Sequence, residues 1–172
     1  MRHDRKFWLF KSEPSCFSFE ALQRSPGGCA HWDGVRNYQA RNYLRDDIQP
    51  CDGVLFYHSS IRQPHVAGIA GVVKGGYPDW TALDPGSEHH DPRCSVDNPV
   101  WYMVDVCFVA PFPVKVTLEE MRGQTSLKGM QLLRKSRLSI QPVTREEWKT
   151  ILQMGSLAAS VVELMLDSLK EG

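Results

Sequence analysis

Five short segments rich in aromatic and β-branched residues constrain the fold of this chain more than any other feature. They cover residues 6–11, 54–59, 66–74, 100–109 and 137–143. Gly68 and Gly71 fall within the third segment, which predicts a tightly curved strand. The segments are too unevenly spaced for repeated βαβ units, so a doubly wound parallel sheet is disfavoured. We therefore predict an α+β fold in which five or six strands form a small closed barrel with short helices at its edges.

Helix start signals place these short helices between the strands. One helix begins at Ser18, and a second covers residues 37–46, with Ala40 and Leu44 on one apolar stripe. Two more begin at capping boxes, in which a hydroxyl and a carboxylate satisfy each other's backbone donors: Thr117 with Glu120, and Thr144 with Glu147.

Residues 156–172 carry an apolar stripe at helical spacing, formed by Leu157, Val161, Leu164, Met165 and Leu169. We expect this C-terminal helical extension to dock on the protein's own core, which leaves the protein a monomer. The alternative is that the stripe forms a weak dimer or contacts another partner.

Composition disfavours several classes of protein. At 172 residues, the chain suits one domain that buries roughly 70% of its unfolded surface. No apolar run approaches the roughly 18 to 20 residues that span a bilayer, and residues 1–10 are too charged for a signal peptide, so we expect no membrane association. Five cysteines without a C-x-x-C pair indicate reduced thiols rather than a disulfide framework or a zinc knuckle.

Motifs for catalysis and metal binding are weak. The chain contains no G-x-S-x-G, H-E-x-x-H, phosphate-loop or dinucleotide-binding glycine motif. His58 beside Ser59 and Ser60 suggests a nucleophile, but neighbours on a strand point to opposite faces and no acid is placed to orient the imidazole. A further set offers metal ligands without the spacing that fixes their geometry: His89, His90, Asp91 and Cys94. We expect no enzymatic activity, no metal and no cofactor.

The net charge of zero conceals two basic blocks. Residues 1–45 and 115–149 each carry 8 basic and 4 acidic residues, whereas residues 46–114 carry 3 basic and 9 acidic residues. If the two basic blocks pack side by side, they form one positive face on a neutral protein, and the alternative is that the charges are scattered and solvated. The net charge of zero disfavours strong, sequence-independent binding to the phosphates of a nucleic-acid duplex.

Residues 32–42 (WDGVRNYQARN) combine flat rings, carboxamides and arginines in a glycine turn that leads into a helix N-terminus. Rings such as Trp32 and Tyr38 supply stacking area, and carboxamides match the donors and acceptors of base edges. Arginines and the helix N-terminus suit a phosphate. The segment is therefore a candidate for base recognition, although Trp32 as a core residue and Asn37 as a helix N-cap remain the structural alternative.

Four segments resemble the EVE domain family in order and in spacing: residues 11–14 (KSEP), 32–42, 56–59 (FYHS) and 137–143 (RLSIQPV). The resemblance covers about residues 6–155. It implies a PUA-like mixed pseudobarrel, related to the YTH and ASCH folds, and a role in binding modified bases in nucleic acid without enzymatic activity. We accordingly divide the chain into an EVE domain over residues 1–155 and the helical extension over residues 156–172.

Carried over to this sequence, the resemblance predicts one cleft that holds a single base. Its predicted base-binding residues are Ser12, Glu13, Trp32, Val35, Asn37, Tyr38, Tyr57, His58, Ser59 and Ser139, and its predicted phosphate-binding residues are Lys11, Arg36, Arg41 and Arg137. Trp32 and a second ring, Tyr38 or Tyr57, are expected to sandwich the base, and Glu13 is expected to accept from an exocyclic amine. Tyr57 and His58 reach one cleft only from a bulge or a strand end, because neighbours on a regular strand alternate faces.

The function predicted on these grounds is a non-enzymatic reader of a methylated or hydroxymethylated base in DNA or RNA, taken from a single strand or flipped from a duplex. Two alternatives stay open: a small-molecule or protein-interaction module that uses the same cleft, and an enzyme that acts on a nucleotide. The expected location is the nucleus in a eukaryote and the cytoplasm in a bacterium.

Overall fold

A computed structural model of the chain describes residues 4–134 and 137–169. The strands are β1 (Phe7–Ser12), β2 (Cys29–Trp32), β3 (Gly53–His58), β4 (His65–Pro78), β5 (Tyr102–Thr117) and β6 (Ile140–Val143). The helices are α1 (Phe19–Arg24), α2 (Tyr38–Asn42), α3 (Leu118–Arg122), α4 (Gln131–Arg134), α5 (Arg145–Met154) and α6 (Ala159–Ser168). Ser18 caps α1, and both predicted capping boxes are present at the starts of α3 and α5.

The six strands form one mixed sheet in the order β2-β5-β4-β3-β1-β6. β1 lies parallel to β3, and the other neighbouring pairs are antiparallel. The predicted α+β class and strand number are confirmed. The prediction of a closed barrel is wrong: within the described residues, β2 and β6 are the two edges, each is four residues long, and each pairs on one side only.

The sheet carries a hydrophobic core on each face, because successive side chains of a strand point to opposite faces. In β1, Phe7 and Leu9 belong to one core, which also contains buried residues of α5 and α6. Trp8 and Phe10 belong to the other core, which contains Trp32 and residues of α1. β1 is therefore buried on both faces, as its aromatic sequence predicts.

The glycines of β4 let other elements approach the sheet closely. A Cβ atom on Gly68 would lie 2.7 Å from the carbonyl oxygen of Ala110 and would collide with the ring of Phe19 on α1. A Cβ atom on Gly71 would lie 2.8 Å from Cδ2 of Leu166 on α6. The pairing register of β4 with β5 also shifts on either side of Gly68, as expected of a curved strand.

Helix α6 packs against the first core through Val162 and Leu166, both of which are completely buried. The predicted packing stripe is wrong in its choice of residues: Val161, Leu164 and Met165 are exposed. Leu157 and Leu169, the other two members of that stripe, are partly buried against the core. The reason is that two apolar stripes run along this helix, and the fold buries the one that faces β4.

Cys29 and Cys107 lie opposite each other in the β2–β5 ladder and form a disulfide. The prediction of reduced thiols is therefore wrong for this pair, whose separation of 78 positions hides the proximity that the sheet creates. Cys16, Cys51 and Cys94 are not disulfide-bonded.

In the described ranges no single helix is long and apolar enough to span a membrane, and α5 with α6 meets the length and composition criterion only as a pair bent by 111°.

Candidate functional site

A cleft of about 550 Å³ opens where β1 and β2 end, and we call it the Trp32 cleft. Trp32 ends β2 at one edge of the sheet, whereas Ser139 lies directly before β6 at the other edge. Both line this cleft, so the open sheet curls until its two edges approach each other. The lining residues are Lys11, Ser12, Glu13, Cys16, Phe17, Ala30, His31, Trp32, Asp33, Gly34, Val35, Arg36, Glu88, His89 and Ser139.

Trp32 is both a core residue and a wall of the cleft. Its side chain is only 8% exposed. The ring centroid lies 5.3 Å from that of Phe56 in an edge-to-face arrangement and 5.2 Å from that of Phe10. Phe17, which also lines the cleft, meets Trp32 edge-to-face at 6.1 Å. These contacts hold the indole rigidly, so the surface that it presents to the cleft is fixed before any ligand binds.

The turn after Trp32 is fixed by the buried carboxylate of Asp79. Its Oδ2 accepts the backbone N–H of Gly34 and one guanidinium nitrogen of Arg36, each at 2.9 Å, while Oδ1 accepts from Thr81. Gly34 has φ of +76°, so the backbone favours glycine there, and a Cβ atom would lie 2.7 Å from Nε2 of His89 and displace that ring. Burial alone would raise the pKa of Asp79, but these hydrogen bonds hold that pKa below its ordinary value.

The Arg36 side chain bridges two parts of the protein by hydrogen bonds. One terminal nitrogen donates to Asp79, and the other donates to the carbonyl oxygen of His89 at 2.6 Å. The guanidinium also lies over the ring of Trp101, 5.3 Å from its centroid. Its phosphate-binding role stays a prediction, and both terminal nitrogens already have acceptors inside the protein.

The opposite wall of the cleft is the turn that follows β1. The Ser12 hydroxyl donates to the carbonyl oxygen of Phe17 at 2.6 Å, and the backbone N–H groups of Cys16 and Phe17 both donate to the carbonyl of Glu13 at 2.9 Å. These bonds orient Phe17 towards Trp32 and leave the Glu13 side chain exposed at the rim. A carboxylate at the rim of an aromatic cleft is placed to accept a hydrogen bond from a ligand.

A second pocket of about 430 Å³ adjoins the Trp32 cleft, and we call it the Tyr57 pocket. Lys11, Glu13 and Ser139 line both of them, and the backbone N–H of Lys11 donates to the carbonyl of Ser139 at 2.9 Å. The residues that line only the Tyr57 pocket are Tyr57, Ser59, Ser60, Pro64, Leu118, Arg122, Leu132 and Arg137. Burial raises the pKa of Tyr57 to about 12, and partial burial lowers the pKa of Lys11. Tyr57, Ser59 and Arg137, three of the residues predicted for the base cleft, therefore lie in this neighbouring pocket.

Three other predicted residues lie around α2 and line neither the cleft nor the pocket. The Asn37 side chain accepts the backbone N–H of Ala40 at 3.0 Å and serves as the N-cap of α2. The Tyr38 ring stacks on Trp101 with centroids 5.0 Å apart. The guanidinium of Arg41 lies over the Tyr38 ring and donates to a backbone carbonyl of the loop. Neither Tyr38 nor Tyr57 lines the Trp32 cleft, whereas Phe17 lines it and contacts Trp32 edge-to-face. The sandwich of a base between Trp32 and a second ring stays a prediction.

His58 also lies outside both cavities. The β3–β4 register shifts between Phe56 and Tyr57, so the bulge required by the sequence argument exists, but His58 is buried. Its Nε2 accepts the backbone N–H of Phe19 at 3.0 Å, and its ring packs edge-to-face against His65 at 5.1 Å. Burial, together with the nearby His65, lowers the pKa of His58. The nitrogen that a base catalyst would use is already an acceptor inside the fold.

Several residues of the cleft have no counterpart in the sequence prediction: Cys16, Phe17, Ala30, His31, Asp33, Gly34, Glu88 and His89. His31, Asp33 and Gly34 are direct neighbours of predicted residues, so the motif at residues 32–42 was the available signal for these three. Glu88 and His89 come from the loop after β4, and no local pattern links that loop to Trp32. Within residues 4–134 and 137–169, no three His, Cys, Asp or Glu side chains lie together as in a metal site.

Comparisons with known proteins agree with one family. The model of the EVE domain family matches residues 6–154. The chain is 41% identical over 165 residues to thymocyte nuclear protein 1 from Mus musculus, with 86% of this chain and 73% of that protein covered.

Solved structures extend this likeness to three dimensions. The crystal structure of the human THYN1 protein in complex with 5-methylcytosine-containing DNA has a TM-score of 0.84 at 39% identity, over 89% of this chain and 99% of that chain. The YTH domain of the Zygosaccharomyces rouxii MRB1 protein has a TM-score of 0.51 at 16% identity, over 88% of this chain and 86% of that chain, which is a likeness of fold alone. The predicted PUA-like α+β fold is thereby confirmed.

Proposed function

The chain belongs to the EVE domain family, and on that premise we propose that it is a DNA-binding domain that recognises a modified base in the Trp32 cleft. The first candidate is 5-methylcytosine. The observation that carries the proposal is the rigid aromatic cleft, rimmed by carboxylates, in a chain 39% identical to a human protein solved with 5-methylcytosine-containing DNA.

The chemistry of the cleft suits a cytosine-type base. Its volume of about 550 Å³ is within the range of small-molecule sites. Trp32, Glu13 and Asp33 line the cleft, and we propose that the indole of Trp32 stacks on the base while the two residues with carboxylates offer acceptor oxygens. In base recognition, carboxylates accept from the exocyclic N4 amine of cytosine. A carboxylate beside the ring therefore favours a base with an exocyclic amine, such as cytosine, over a base with a carbonyl at the same position, such as thymine.

A methyl group on the base needs an apolar surface, and the cleft supplies one. Phe17, Ala30 and Val35 line it beside Trp32. Burying one methyl group contributes about 0.8 kcal/mol, which corresponds to roughly a fourfold preference for the methylated base. This is a modest preference, and it is concentrated in one nucleotide.

The balance of binding energies favours a base that is already accessible. Flipping a paired base costs a few kcal/mol, and stacking on a ring returns about 1–3 kcal/mol. The net charge of zero gives little affinity for duplex phosphates at large. We therefore propose that a single strand, a mismatch or a duplex end is bound more tightly than an intact duplex.

The test is a fluorescence anisotropy series with short single-stranded DNA that carries one cytosine, 5-methylcytosine or 5-hydroxymethylcytosine. The proposal expects tighter binding of a modified oligonucleotide than of the unmodified one. Equal affinity for all three oligonucleotides would overturn it. The same sequences as RNA and as duplex DNA decide between the polymers.

Variants of two glutamates localise the binding. Glu13→Ala, in the rim, is expected to weaken binding by about 1–3 kcal/mol, the value of one good contact with a base edge. Glu20→Ala is the matched control, because Glu20 is exposed on α1 and lines neither cavity. Trp32→Ala is a poorer probe, since truncation of a buried tryptophan destabilises a fold by about 3–5 kcal/mol.

We propose a monomeric, non-enzymatic reader that needs no cofactor, with residues 1–155 as the binding domain and residues 156–172 as its helical extension. We propose a nuclear location if the source is eukaryotic and a cytoplasmic one if it is bacterial. The enzyme alternative loses support from His58, whose Nε2 already accepts from Phe19.

A further inference from the structure

We propose that the Tyr57 pocket binds the phosphate and sugar of the nucleotide next to the base in the Trp32 cleft. The protein would then recognise two phosphate-linked nucleotides rather than an isolated base. This inference rests on the proposed function, because it assigns the neighbouring pocket to the same polymer.

The two cavities share a wall, which makes them suitable for adjacent units of one strand. Lys11, Glu13 and Ser139 line both cavities, and a backbone hydrogen bond of 2.9 Å between Lys11 and Ser139 holds that wall together. A ligand in the Trp32 cleft is thus separated from the Tyr57 pocket by a single layer of residues. A chain that continues from a bound base has to cross this wall or leave towards the loop.

The Tyr57 pocket suits an anion because its lining carries more basic than acidic residues. That pocket is lined by the cations of Lys11, Arg122 and Arg137, and among the described residues Glu13 is its only acidic lining residue. The two basic blocks of the sequence meet here, since Lys11 belongs to the first block and both arginines belong to the second. The packing of the two blocks into one larger positive face stays a prediction.

The Trp32 cleft has the opposite balance. Glu13, Asp33 and Glu88 provide three carboxylates there, against the cations of Lys11 and Arg36. The guanidinium of Arg36 is already bound to Asp79 at 2.9 Å. An anionic phosphate is accordingly repelled from the Trp32 cleft and attracted to the Tyr57 pocket.

The two arginines of the Tyr57 pocket are available to a ligand. Throughout residues 4–134 and 137–169, neither Arg122 nor Arg137 forms an ion pair or a side-chain hydrogen bond with the protein. Both are exposed. The Tyr57 phenol, which remains protonated at neutral pH, adds an O–H donor to the same wall. Guanidinium groups bind phosphate oxygens through charge-assisted hydrogen bonds, and a phenol O–H is a further donor of the kind that phosphate oxygens accept.

Competition assays with small ligands test this assignment. Each ligand displaces a fluorescent 5-methylcytosine oligonucleotide from the full chain. The ligands are 5-methyl-2′-deoxycytidine, its 3′- and 5′-monophosphates, the unmethylated counterparts of all three, and inorganic phosphate. The proposal expects at least one monophosphate to compete about tenfold better than the nucleoside, the effect of one charge-assisted hydrogen bond. Monophosphates that compete no better than the nucleoside would overturn it, as would inorganic phosphate that competes as well as a monophosphate.

Arg122→Gln isolates the new pocket, because Arg122 has no part in the proposed base recognition. For this variant, the monophosphates are expected to lose most of their advantage over the nucleoside. The fall of the log binding constant with log salt concentration is expected to become shallower by about 0.7 for a single-stranded oligonucleotide. Arg24→Gln is the control: Arg24 is an exposed arginine on α1 that lines neither cavity. Equal effects of the two variants would refute the assignment.

The same assays keep the two proposals distinguishable. If methylated and unmethylated ligands compete equally while the phosphate gain persists and depends on Arg122, modified-base reading fails and the phosphate pocket stands. If methylated ligands compete better but Arg122→Gln changes nothing, the base reader stands and the phosphate pocket fails.

Discussion

The carboxylate of Asp79 accepts a hydrogen bond from the backbone N–H of Gly34 at 2.9 Å, across 45 positions of the sequence. Arg36 donates to the same oxygen at the same distance. One buried side chain therefore joins the turn after Trp32 to the loop after β4. The Trp32 cleft depends on this joint, because His89, which forms part of its wall, comes from that loop.

Asp79→Asn is expected to destabilise the fold by about 1–3 kcal/mol and to weaken oligonucleotide binding. The value lies below the roughly 3–5 kcal/mol of a fully buried pair, because the Arg36 side chain is 25% exposed and solvent screens its charge. Urea denaturation measures the change. Asp97→Asn, at an exposed position of the same loop, is the control, and an equal effect there would contradict the role given to Asp79.

The difference between the wild-type protein and Asp79→Asn depends on pH. The folded state lowers the pKa of Asp79 from its ordinary value of 3.8. Its contribution to stability is therefore complete above about that pH and is lost as the pH falls through the folded-state pKa. We expect the difference in the free energy of unfolding to be constant from neutral pH down to mildly acidic pH and to shrink in stronger acid. A difference that grows on acidification would contradict the assignment.

His58→Gln is expected to reduce the loss of folding stability that the wild type shows as the pH falls below about 6.5. Because the folded state lowers the pKa of His58 from 6.5, the unfolded chain binds a proton there more readily. The wild type therefore loses stability as the pH falls below about 6.5, and the glutamine variant, which still offers an acceptor to Phe19, loses less. Melting temperatures across this pH range measure it, with the exposed His31→Gln as control. Parallel pH profiles for wild type and His58→Gln would show that His58 is not the group responsible.

Phe17→Ala is expected to reduce the preference for a methylated base, whereas Tyr38→Ala is expected to leave it unchanged. Phe17 lines the Trp32 cleft, while Tyr38 stacks on Trp101 outside it. Loss of the methyl contact corresponds to about 0.8 kcal/mol, or roughly fourfold in the ratio of dissociation constants. Anisotropy titrations with methylated and unmethylated oligonucleotides give the ratio. A larger effect at Tyr38 would move the base site to the surface around α2.

Leu166→Ala is expected to destabilise the protein by about 2–5 kcal/mol, because it leaves a cavity under α6. Leu166 is completely buried, whereas Leu164, two positions earlier, is 70% exposed. Leu164→Ala is therefore expected to change stability by less than about 0.5 kcal/mol. Urea denaturation compares the two. Should Leu164→Ala prove as costly, the exposed stripe would be a real interface, and the mass of the protein in solution would identify a dimer.

The sequence by itself determined the features whose cause is local. The continuous apolar run at the start of β1 specifies a strand buried on both faces, because each face has its own apolar set. Ser18, Thr117 and Thr144 specify helix starts, because a hydroxyl satisfies free backbone donors wherever such a turn forms. The family motifs at residues 11–14 and 32–42 also identified the two turns that frame the Trp32 cleft.

Only the tertiary structure decided which residues share a cavity. It divides the predicted cleft in two and buries His58 against Phe19, because both outcomes depend on how the strands and α1 pack rather than on local patterns. It joins Cys29 to Cys107 and brings Asp79 to Gly34 through the sheet and the loop. On α6, two apolar stripes satisfy the same helical spacing, and only the packing of the helix on the core buries Val162 and Leu166 rather than Val161 and Leu164. Several arrangements are equally compatible with the local sequence, and close packing between distant segments decides which one forms.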